Sequence, residues 1–382
     1  MHALVVSPIP SDPQNQGNSA RIGRLCELLQ YYGYKVHFLY YGLEGMTAES
    51  LVAMTARWDF FHFVRVDSLK RQSAPDGYLI DDWYGPEFDS AVRGLQERWR
   101  FDLALINYVW MSAACEALPD STVKIVDTHD VFGDRQYLLQ SQGLAPTWVF
   151  MSIEQERLGL NRADLVLAIQ ESEAQILRQR TATPVVTVGH ILPANFLPPV
   201  HRVHGQKIRV GYLASNNPSN RLSFARFIEA IGRYPKVAAS CHFVIAGAIG
   251  TAVRPDLHGV EAIGFVADPR TLYRDVDVVM NPNISGTGLK IKNVEALSYG
   301  MPLVSTADGM IGIESSEPAH QCATLDDMVE RLITLDDDAT RSALREASRD
   351  TFIRYNSAQI KALEQVLAVV QNGNQYEGGA AL

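Results

Sequence analysis

One stretch of the sequence has the residue types and spacing of an anion-binding site, a glycine-bearing loop followed by a helix with lysines in its first turn. Its members are Gly286, Thr287, Gly288, Leu289, Lys290 and Lys292. The two glycines permit a tight turn and a close approach of the backbone to a ligand. The first turn of the helix offers free N–H groups, a positive dipole end and the two lysine charges. An anion is therefore the expected ligand.

A carboxylate one turn further along this helix narrows the expected ligand to a nucleotide. Glu295 would repel a bare phosphate, but nucleotide sites use such a carboxylate to bind the ribose hydroxyls. The apolar strand Asp277–Met280 leads into the loop, and Pro282 ends it because proline has no N–H to donate to a sheet. The helix closes at Gly300. The stretch predicts a nucleoside diphosphate site, and the alternative is an ordinary surface loop and helix with solvated lysines.

A second group of polar side chains directly follows the apolar strand Val123–Val126. The carboxyl end of a strand is where α/β enzymes place catalytic side chains. His129 or Asp130 could act there as a general base towards a reacting hydroxyl. The alternative is structural, in which Asp127 and Asp130 cap the next helix and His129 packs in the interior.

Strand and helix signals alternate along the whole chain, which predicts an α/β protein with parallel sheets. The strand Ala3–Val6, a helix capped near Ser19 and ended at Gly33, and the strand Lys35–Tyr40 form one turn of a doubly wound sheet. Later strands of the first half are predicted at Leu103–Ile106, Val123–Val126 and Leu165–Ala168. Those of the second half are predicted at Ile208–Leu213, His242–Ala246, Val260–Ile263, Val276–Met280 and Leu303–Ser305.

The chain divides into two predicted domains joined by one linker. Residues 191–206 contain three prolines and no periodic pattern, so they are interpreted as the linker between domains 1–190 and 207–351. A final helix over 352–371 could bridge both domains or pack back on the first. The tail, residues 373–382, is predicted to be disordered. Two such domains leave a cleft, and ligands of parallel sheets bind at the carboxyl ends of the strands.

Composition excludes several classes of protein. The chain has 382 residues and a net charge of −9, which argues against nucleic acid as a partner. Its four cysteines are far apart and lie mostly in apolar segments, as buried thiols of a reducing compartment do, and no apolar run reaches the length of a membrane span. A cytoplasmic protein is expected. No metal is expected, because no Cys/His spacing or carboxylate cluster is typical of a metal site. A dinucleotide-dependent dehydrogenase is disfavoured, because no G-x-G-x-x-G follows the first strand.

These residues carry a family resemblance. The whole chain resembles nucleotide-sugar-dependent glycosyltransferases of the GT-B fold, and its second half is most similar to glycosyltransferase family 4, the glycosyl transferases group 1. Gly211–Asn220 is similar to the first strand and loop of the family's donor domain, Gly264–Asp268 to the loop that flanks the base, and 286–304 to the donor loop and helix. The resemblance implies two Rossmann-like domains, a sugar nucleotide bound by the second and an acceptor bound by the first. A UDP-sugar is favoured over a GDP-sugar, with no separate cofactor.

The resemblance also assigns roles to single residues. It implies that Glu295 binds the ribose, and that the first glutamate of the family's motif falls on Thr287, which can bond a sugar hydroxyl but carries no charge. His129 would lie beside the transferred sugar and orient its hydroxyls, as an alternative to acting as a base. The remaining implied site residues are Asn216 beside the donor, Arg221 as a second cation for the diphosphate or a solvated arginine, and Gly17 and Asn18 in a phosphate or acceptor loop or a plain helix cap.

The expected function is transfer of a sugar from a nucleotide-diphosphate sugar to a hydroxyl of a glycan, lipid-linked or protein acceptor, with retention of configuration. Two alternatives remain open: a sugar-nucleotide epimerase or hydrolase of the same fold, and a noncatalytic sugar-nucleotide-binding protein. The segment Arg57–Arg65, followed by Lys70 and Arg71, mixes aromatic and basic side chains. It either touches the inner face of a membrane or forms a plain strand over Phe60–Val66.

Overall fold

The computed structural model describes residues 1–14, 16–66, 72–146, 148–199, 205–253 and 259–372. The chain forms two compact units, the first made of residues 1–189 together with the chain from Gln359 onward, the second of His190–Ala358. The tail at 373–382, whose disorder is predicted, lies outside the described residues. So do Asn15, Lys70, Arg71 and residues 200–204 of the predicted linker.

The first unit is built on a sheet of seven parallel strands in the order β3-β2-β1-β4-β5-β6-β7. The strands are β1 His2–Ser7, β2 Lys35–Tyr41, β3 Phe60–Val64, β4 Leu103–Asn107, β5 Val123–Asp127, β6 Leu165–Ala168 and β7 Val185–Thr187. The helices between them are α1 Gly17–Tyr31, α2 Ala48–Arg57, α3 Pro86–Arg98, α4 Arg135–Ser141, α5 Ile153–Leu160 and α6 Glu171–Arg180, with a 3₁₀ segment at Val109–Ala117. The central strands are continuous apolar runs because both faces of a parallel sheet are covered.

The strand order of this sheet reverses between β1 and β4. The chain runs outward from β1 through β2 to β3, then returns to place β4 against the other side of β1. Ligands of open parallel sheets bind outside the carboxyl ends of the strands at such a point. The segments that leave β1, β4 and β5 at this edge lead to Asn18, Tyr108 and His129, respectively.

The second unit is built on five parallel strands in the order β10-β9-β8-β11-β12. The strands are β8 Ile208–Leu213, β9 Cys241–Ala246, β10 Val260–Gly264, β11 Val278–Asn281 and β12 Leu303–Ser305. The helices are α7 Pro218–Gly232, α8 Pro235–Ser240, α9 Arg270–Tyr273, α10 Ile291–Ser298 and α11 Leu325–Thr334. The last helix, α12 Asp338–Asn372, begins in this unit and belongs to the first unit from Gln359 onward. Its strand order reverses between β8 and β11, so the loops after these two strands meet at the ligand-binding edge.

The predicted doubly wound α/β class is confirmed by both sheets. The final helix differs from its prediction, because α12 begins at Asp338 rather than at 352. Residues 338–351 include three alanines and three arginines, which favour a helix, and contain no Gly or Pro, so nothing interrupts the helix although its apolar pattern is weak. The four cysteines are free and buried, as expected.

Candidate functional site

The loop between β11 and α10 depends on its two glycines. Gly286 has φ 90° and Gly288 has φ 75°, both in the left-handed region that side chains disfavour. A Cβ on Gly286 would lie 2.8 Å from Oγ of Ser219, in the first turn of α7. Ser219 Oγ also donates a hydrogen bond of 2.6 Å to the carbonyl oxygen of Ser285. The loops that follow β8 and β11 are thus joined at the point where the strand order reverses.

The α7 side of this junction is set by local sequence. Asn217 accepts a hydrogen bond from the backbone N–H of Asn220 as the cap of α7, and Pro218 occupies the first helical position. Asn216 and Arg221 are exposed there: Arg221 Nη1 donates to the carbonyl oxygen of Asn216 at 2.7 Å, and Asn216 Nδ2 donates to Thr251 at 2.9 Å. Asn216 therefore lies on the loop before α7 and Arg221 in the first turn of α7, on either side of Ser219, which approaches Gly286.

Lys290 supports the glycine loop from within. It caps α10, and its Nζ donates to the carbonyl oxygens of Thr287 at 2.9 Å and Gly288 at 2.8 Å. The positive charge is consequently held against the loop backbone. Leu289, beside it, is buried at 7% exposure and anchors the loop in the apolar interior.

Lys292 extends in the other direction, towards α7. Its Nζ donates to Asn220 Oδ1 at 2.8 Å and to the hydroxyl of Tyr212 at 3.2 Å, and it lies 4.9 Å from the centre of the Tyr212 ring. Burial, with a smaller contribution from the charge of Lys290, lowers the pKa of Lys292 to about 7. This ammonium therefore titrates in the physiological range.

The affinity of this loop for an anion is expected to fall as the pH rises through 7. An anion bound beside Lys292 raises the lysine pKa in the complex, so binding is strongest below the pKa of the free protein, about 7, and weakens above it. Calorimetric titration of UDP between pH 6 and 9 measures the change. Lys292→Arg is the matched control, because arginine stays protonated over this pH range. The ionisation of the UDP phosphate affects both proteins equally and therefore cancels in the comparison. Parallel profiles for the two proteins would contradict the expectation.

Glu295 is held in one orientation by a tyrosine that the sequence does not single out. The Tyr273 hydroxyl donates to Glu295 Oε1 at 2.6 Å, and the Tyr273 ring packs 4.9 Å from that of Tyr299. Burial raises the pKa of Glu295, the hydrogen bond from Tyr273 opposes this rise, and the charge of Asp268 adds to it. The carboxylate is thus fixed one helical turn behind the glycine loop.

In the first unit, His129 follows the end of β5 with its ring placed between neighbours. Its backbone has φ 60°, and its ring stacks on Tyr108 with a centroid distance of 4.2 Å and an interplanar angle of 16°. His129 Nε2 lies 2.9 Å from Asn107 Oδ1, while Asn107 Nδ2 donates to the carbonyl oxygen of Val6. Because Oδ1 can only accept, Nε2 carries the proton and Nδ1 is the basic nitrogen. Burial lowers the pKa of His129 to about 4, so the ring is neutral at pH 7.

A buried ion pair lies directly beneath this histidine. Arg21 Nε and Nη2 donate to the two carboxylate oxygens of Asp127 at 2.8 and 2.6 Å, and Asp127 Oδ2 lies 3.2 Å from His129 Nε2. The same guanidinium donates to the carbonyl oxygens of Val188 and Gly189. Both side chains of the pair are at most 1% exposed. Arg21 was missed from sequence, although its spacing to apolar positions of α1 places a charge on the buried helix face.

The other predicted residues of the first unit differ in whether they contact the neighbours of His129. The Asn18 side chain hydrogen-bonds the phenol of Tyr108, and Gly17 opens α1. Asp130 accepts from the N–H of Val131 at 2.9 Å and lies 3.1 Å from Nε of Arg135. His129 and Asn18 are thus brought together on Tyr108, whereas Asp130 is engaged locally.

The structural alternative for the two aspartates is wrong in one respect. The residue that precedes α4 is Asp134, in the left-handed region with φ 62°, so neither Asp127 nor Asp130 caps this helix. The reason is tertiary: Asp127 is taken by the ion pair with Arg21.

The described residues contain neither a helix suited to span a membrane nor a cluster of metal ligands. Among them, no helix is both long and apolar enough to cross a bilayer. The same residues contain no group of three His, Cys, Asp or Glu side chains placed to hold a metal ion. Arg57, in the segment with membrane-like composition, forms ion pairs with Asp12 and Glu27.

The chain is similar to one protein family over part of its length and to solved structures over nearly all of it. Residues 207–338 match the family described as "Glycosyl transferases group 1". No curated protein matches the chain. Among solved structures, sucrose-phosphate synthase from Thermosynechococcus elongatus is similar with 14% identity and a TM-score of 0.71, covering 98% of this chain and 100% of its own. HepE from Anabaena, solved with UDP and glucose, has 14% identity, a TM-score of 0.68 and coverages of 97% and 100%. TarM from S. aureus, solved with UDP among other ligands, has 11% identity, a TM-score of 0.68 and coverages of 97% and 99%.

The predicted GT-B fold is confirmed by these structures. The family match over 207–338 contains the whole glycine loop and α10.

Proposed function

We propose that this chain is a nucleotide-sugar-dependent glycosyltransferase similar to family 4, with a UDP-sugar as donor. The observation that carries the proposal is the grouping of two left-handed glycines, two lysines and a fixed carboxylate where the strand order of the second sheet reverses. HepE and TarM were solved with UDP, which favours uracil as the base.

The diphosphate is proposed to bind at the glycine loop and the start of α10. Backbone N–H groups approach it closely because Gly286 and Gly288 have no side chain, and the helix dipole adds to the attraction. The ammonium groups of Lys290 and Lys292 then stabilise the negative charge that grows on the diphosphate as the sugar departs, with Arg221 as a further cation.

The ribose is assigned to Glu295 and the transferred sugar to Thr287. The Tyr273 hydroxyl occupies one carboxylate oxygen of Glu295, and the carboxylate keeps further acceptor capacity for ribose hydroxyls. Thr287, between the two glycines, is proposed to bond a hydroxyl of the sugar. Because threonine carries no charge, stabilisation of the oxocarbenium-like centre on the retaining pathway falls to other groups.

His129 is the proposed reacting or orienting group of the first unit. Its neutral ring has a proton on Nε2 and a lone pair on Nδ1, so Nδ1 accepts a hydrogen bond or a proton from a hydroxyl. Asn107 holds the ring through Nε2, and Asp127, 3.2 Å from the same nitrogen, stabilises the cation that forms if the ring takes up a proton. Asp130 is proposed to assist His129 in the reaction. Gly17 and Asn18 are proposed to contact the acceptor or the donor phosphates.

Replacing Glu295 by glutamine is expected to weaken UDP binding by about ten- to a hundred-fold, since charged hydrogen bonds contribute about 1.5–3 kcal/mol. Isothermal titration calorimetry with UDP and uridine measures the loss, which should be similar for both ligands because they share the ribose. Glu229→Gln, at an exposed site paired with Arg226 on α7, is the control. Unchanged uridine affinity in Glu295→Gln would remove the ribose role.

A transfer assay separates the proposal from its two alternatives. The chain is incubated with UDP-glucose, UDP-galactose or UDP-N-acetylglucosamine, alone and with glycan, polyprenyl-phosphate and peptide acceptors. A transferase releases UDP faster with an acceptor, and its product retains the donor's anomeric configuration. An epimerase or hydrolase acts fully without acceptor, and a noncatalytic binding protein turns over none of the donors. Dependence on vesicles with the lipid acceptor would support a cytoplasmic enzyme that touches the inner membrane face.

A further inference from the structure

Backbone strain in this chain is concentrated around one group of side chains in the first unit. Within the described residues, four non-glycine residues have positive φ: Tyr108, His129, Asp134 and Trp148, with φ of 72°, 60°, 62° and 66°. Each costs about 1–2 kcal/mol relative to ordinary backbone. Residues in such conformations cluster at functional sites, where the surrounding structure enforces them. The Tyr108 ring contacts those of both His129 and Trp148, and the fourth residue, Asp134, lies between these two in sequence.

The rings of this group, which we call the aromatic cluster (Tyr108, Trp110, His129, Phe132 and Trp148), form a stack with one ring across it. Tyr108 is stacked between His129 at 4.2 Å and Trp110 at 5.1 Å. Trp148 stands nearly perpendicular to Tyr108 and Trp110, at 86° and 83°, with centroid distances of 5.2 and 5.8 Å. Trp148 thus meets Tyr108 in an edge-to-face arrangement, whereas His129 and Trp110 are stacked on it.

Trp148 differs from the rest of the cluster in its exposure. Tyr108, Trp110 and Phe132 are fully buried, whereas Trp148 is 39% exposed. A part-exposed aromatic ring on a strained backbone contributes less to the free energy of folding than a buried ring on a relaxed backbone does. The indole N–H of Trp110, in the buried part of the cluster, and that of Trp83, whose ring lies 5.7 Å from Trp110, make no hydrogen bond within the described residues. The cluster and its neighbour Trp83 thus combine a part-exposed aromatic ring with buried N–H donors that lack an acceptor among the described residues.

A sugar ring offers the complementary surface. One face of a pyranose presents C–H bonds that pack on the negative face of an aromatic ring, and its hydroxyls accept hydrogen bonds from N–H donors. A polyprenyl chain or a peptide would use the apolar face and leave the donors unpaired, which is costly in a dry site.

We propose that Trp148 is the platform on which a pyranose ring of the acceptor packs, so that the acceptor of this enzyme is a glycan. This inference rests on the proposed function and makes it more specific, because it selects one of three acceptor classes. The aromatic cluster connects the platform to His129 through Tyr108, which places the acceptor ring beside the histidine that meets the reacting hydroxyl.

Saccharide titration of the full-length, ¹⁵N-labelled chain in the presence of UDP tests the proposal. The five tryptophans give indole N–H signals, and that of Trp148 is identified by its loss in Trp148→Phe. The probes are methyl glycosides of glucose, galactose, mannose and N-acetylglucosamine and their β-linked disaccharides. We expect at least one probe to shift the Trp148 signal while those of Trp58 and Trp99, outside the cluster, stay in place. No shift with any saccharide, or a shift only with polyprenyl phosphate, would overturn the proposal.

Variants at position 148 provide the second measurement. Trp148→Gly and Trp148→Asn remove the ring with residues that tolerate positive φ, so folding should be retained. Affinity for the saccharide should fall at least ten-fold in both, while Trp148→Phe keeps most of it. Tyr31→Ala, at an 82% exposed aromatic on α1, is the control for loss of a surface ring. Equal saccharide affinity in Trp148→Gly and the original chain would refute the platform, even if only this variant could be purified.

The outcomes also separate this inference from the function on which it rests. UDP affinity is measured in each variant and should not change. If the chain binds UDP and turns over a sugar nucleotide but no saccharide contacts Trp148, the platform is refuted and the transferase proposal stands. If the chain binds no UDP or sugar nucleotide, the transferase proposal fails irrespective of the saccharide result.

Discussion

Replacement of Arg21 by methionine is expected to destabilise the first unit by about 3–5 kcal/mol, enough to abolish its folding near 37 °C. The substitution keeps the volume of the side chain but leaves the Asp127 carboxylate buried without its bidentate partner. It also removes the donors to the carbonyl oxygens of Val188 and Gly189, which lie at the end of the sheet. The cost follows from desolvation, because a charge at 0% exposure has no water to replace the lost contacts.

Denaturant unfolding followed by circular dichroism measures this loss against two controls. Arg24→Met changes the next arginine of α1, which is partly exposed and pairs with Glu27, so it should cost less than about 1 kcal/mol. The double variant Arg21→Met with Asp127→Leu removes both charges and should recover part of the stability. Equal midpoints for Arg21→Met and Arg24→Met would show that the buried pair contributes nothing.

Replacement of His129 by alanine is expected to lower turnover by about 10²–10⁴-fold, the usual contribution of a general acid or base, with UDP affinity within two-fold of the original. The proposed nucleotide contacts belong to the second unit, so removal of the imidazole ring should leave the affinity for UDP unchanged. Initial rates of UDP release from a sugar nucleotide with acceptor give the effect. His242→Ala, at a partly exposed histidine paired with Glu261, is the matched control.

The same variant distinguishes the two roles open to His129. If the ring orients the donor sugar, His129→Ala also removes the extra affinity that a UDP-sugar has over UDP. If it acts as a base, that difference is kept and only the chemical step suffers. Because its pKa is lowered to about 4, the base role predicts that the rate falls only as the pH approaches 4 from above, where Nδ1 becomes protonated. Full activity of His129→Ala would return the histidine to a structural role.

The residues of the proposed donor loop could be singled out from sequence because they are close together along the chain. Gly286, Lys290, Lys292 and Glu295 lie within one loop and one helix, so spacing alone indicates a shared direction. The position of His129 at a strand end was similarly accessible, since the carboxyl edge of a parallel sheet follows from the order of strands and helices.

The residues that hold these groups in place could not be predicted, because they come from distant parts of the chain. Arg21 is far in sequence from Asp127, and Tyr273 belongs to the short helix α9 rather than to the donor loop. Tyr108 and Trp148 meet only after β4 and the segment following α4 have packed. Each has an unremarkable local pattern, and its partner is chosen by tertiary packing.

The four left-handed residues also set a limit on engineering this protein. A selection for thermostability alone would favour glycine or asparagine only where the relief of backbone strain exceeds the loss of packing, which excludes the buried Tyr108 and His129. Asp134, which has no ring in the aromatic cluster, is the position where such an exchange is compatible with activity. At the part-exposed Trp148 the same exchange would relieve strain but remove the proposed platform, so variants selected for heat resistance without an activity assay should lose Trp148 first.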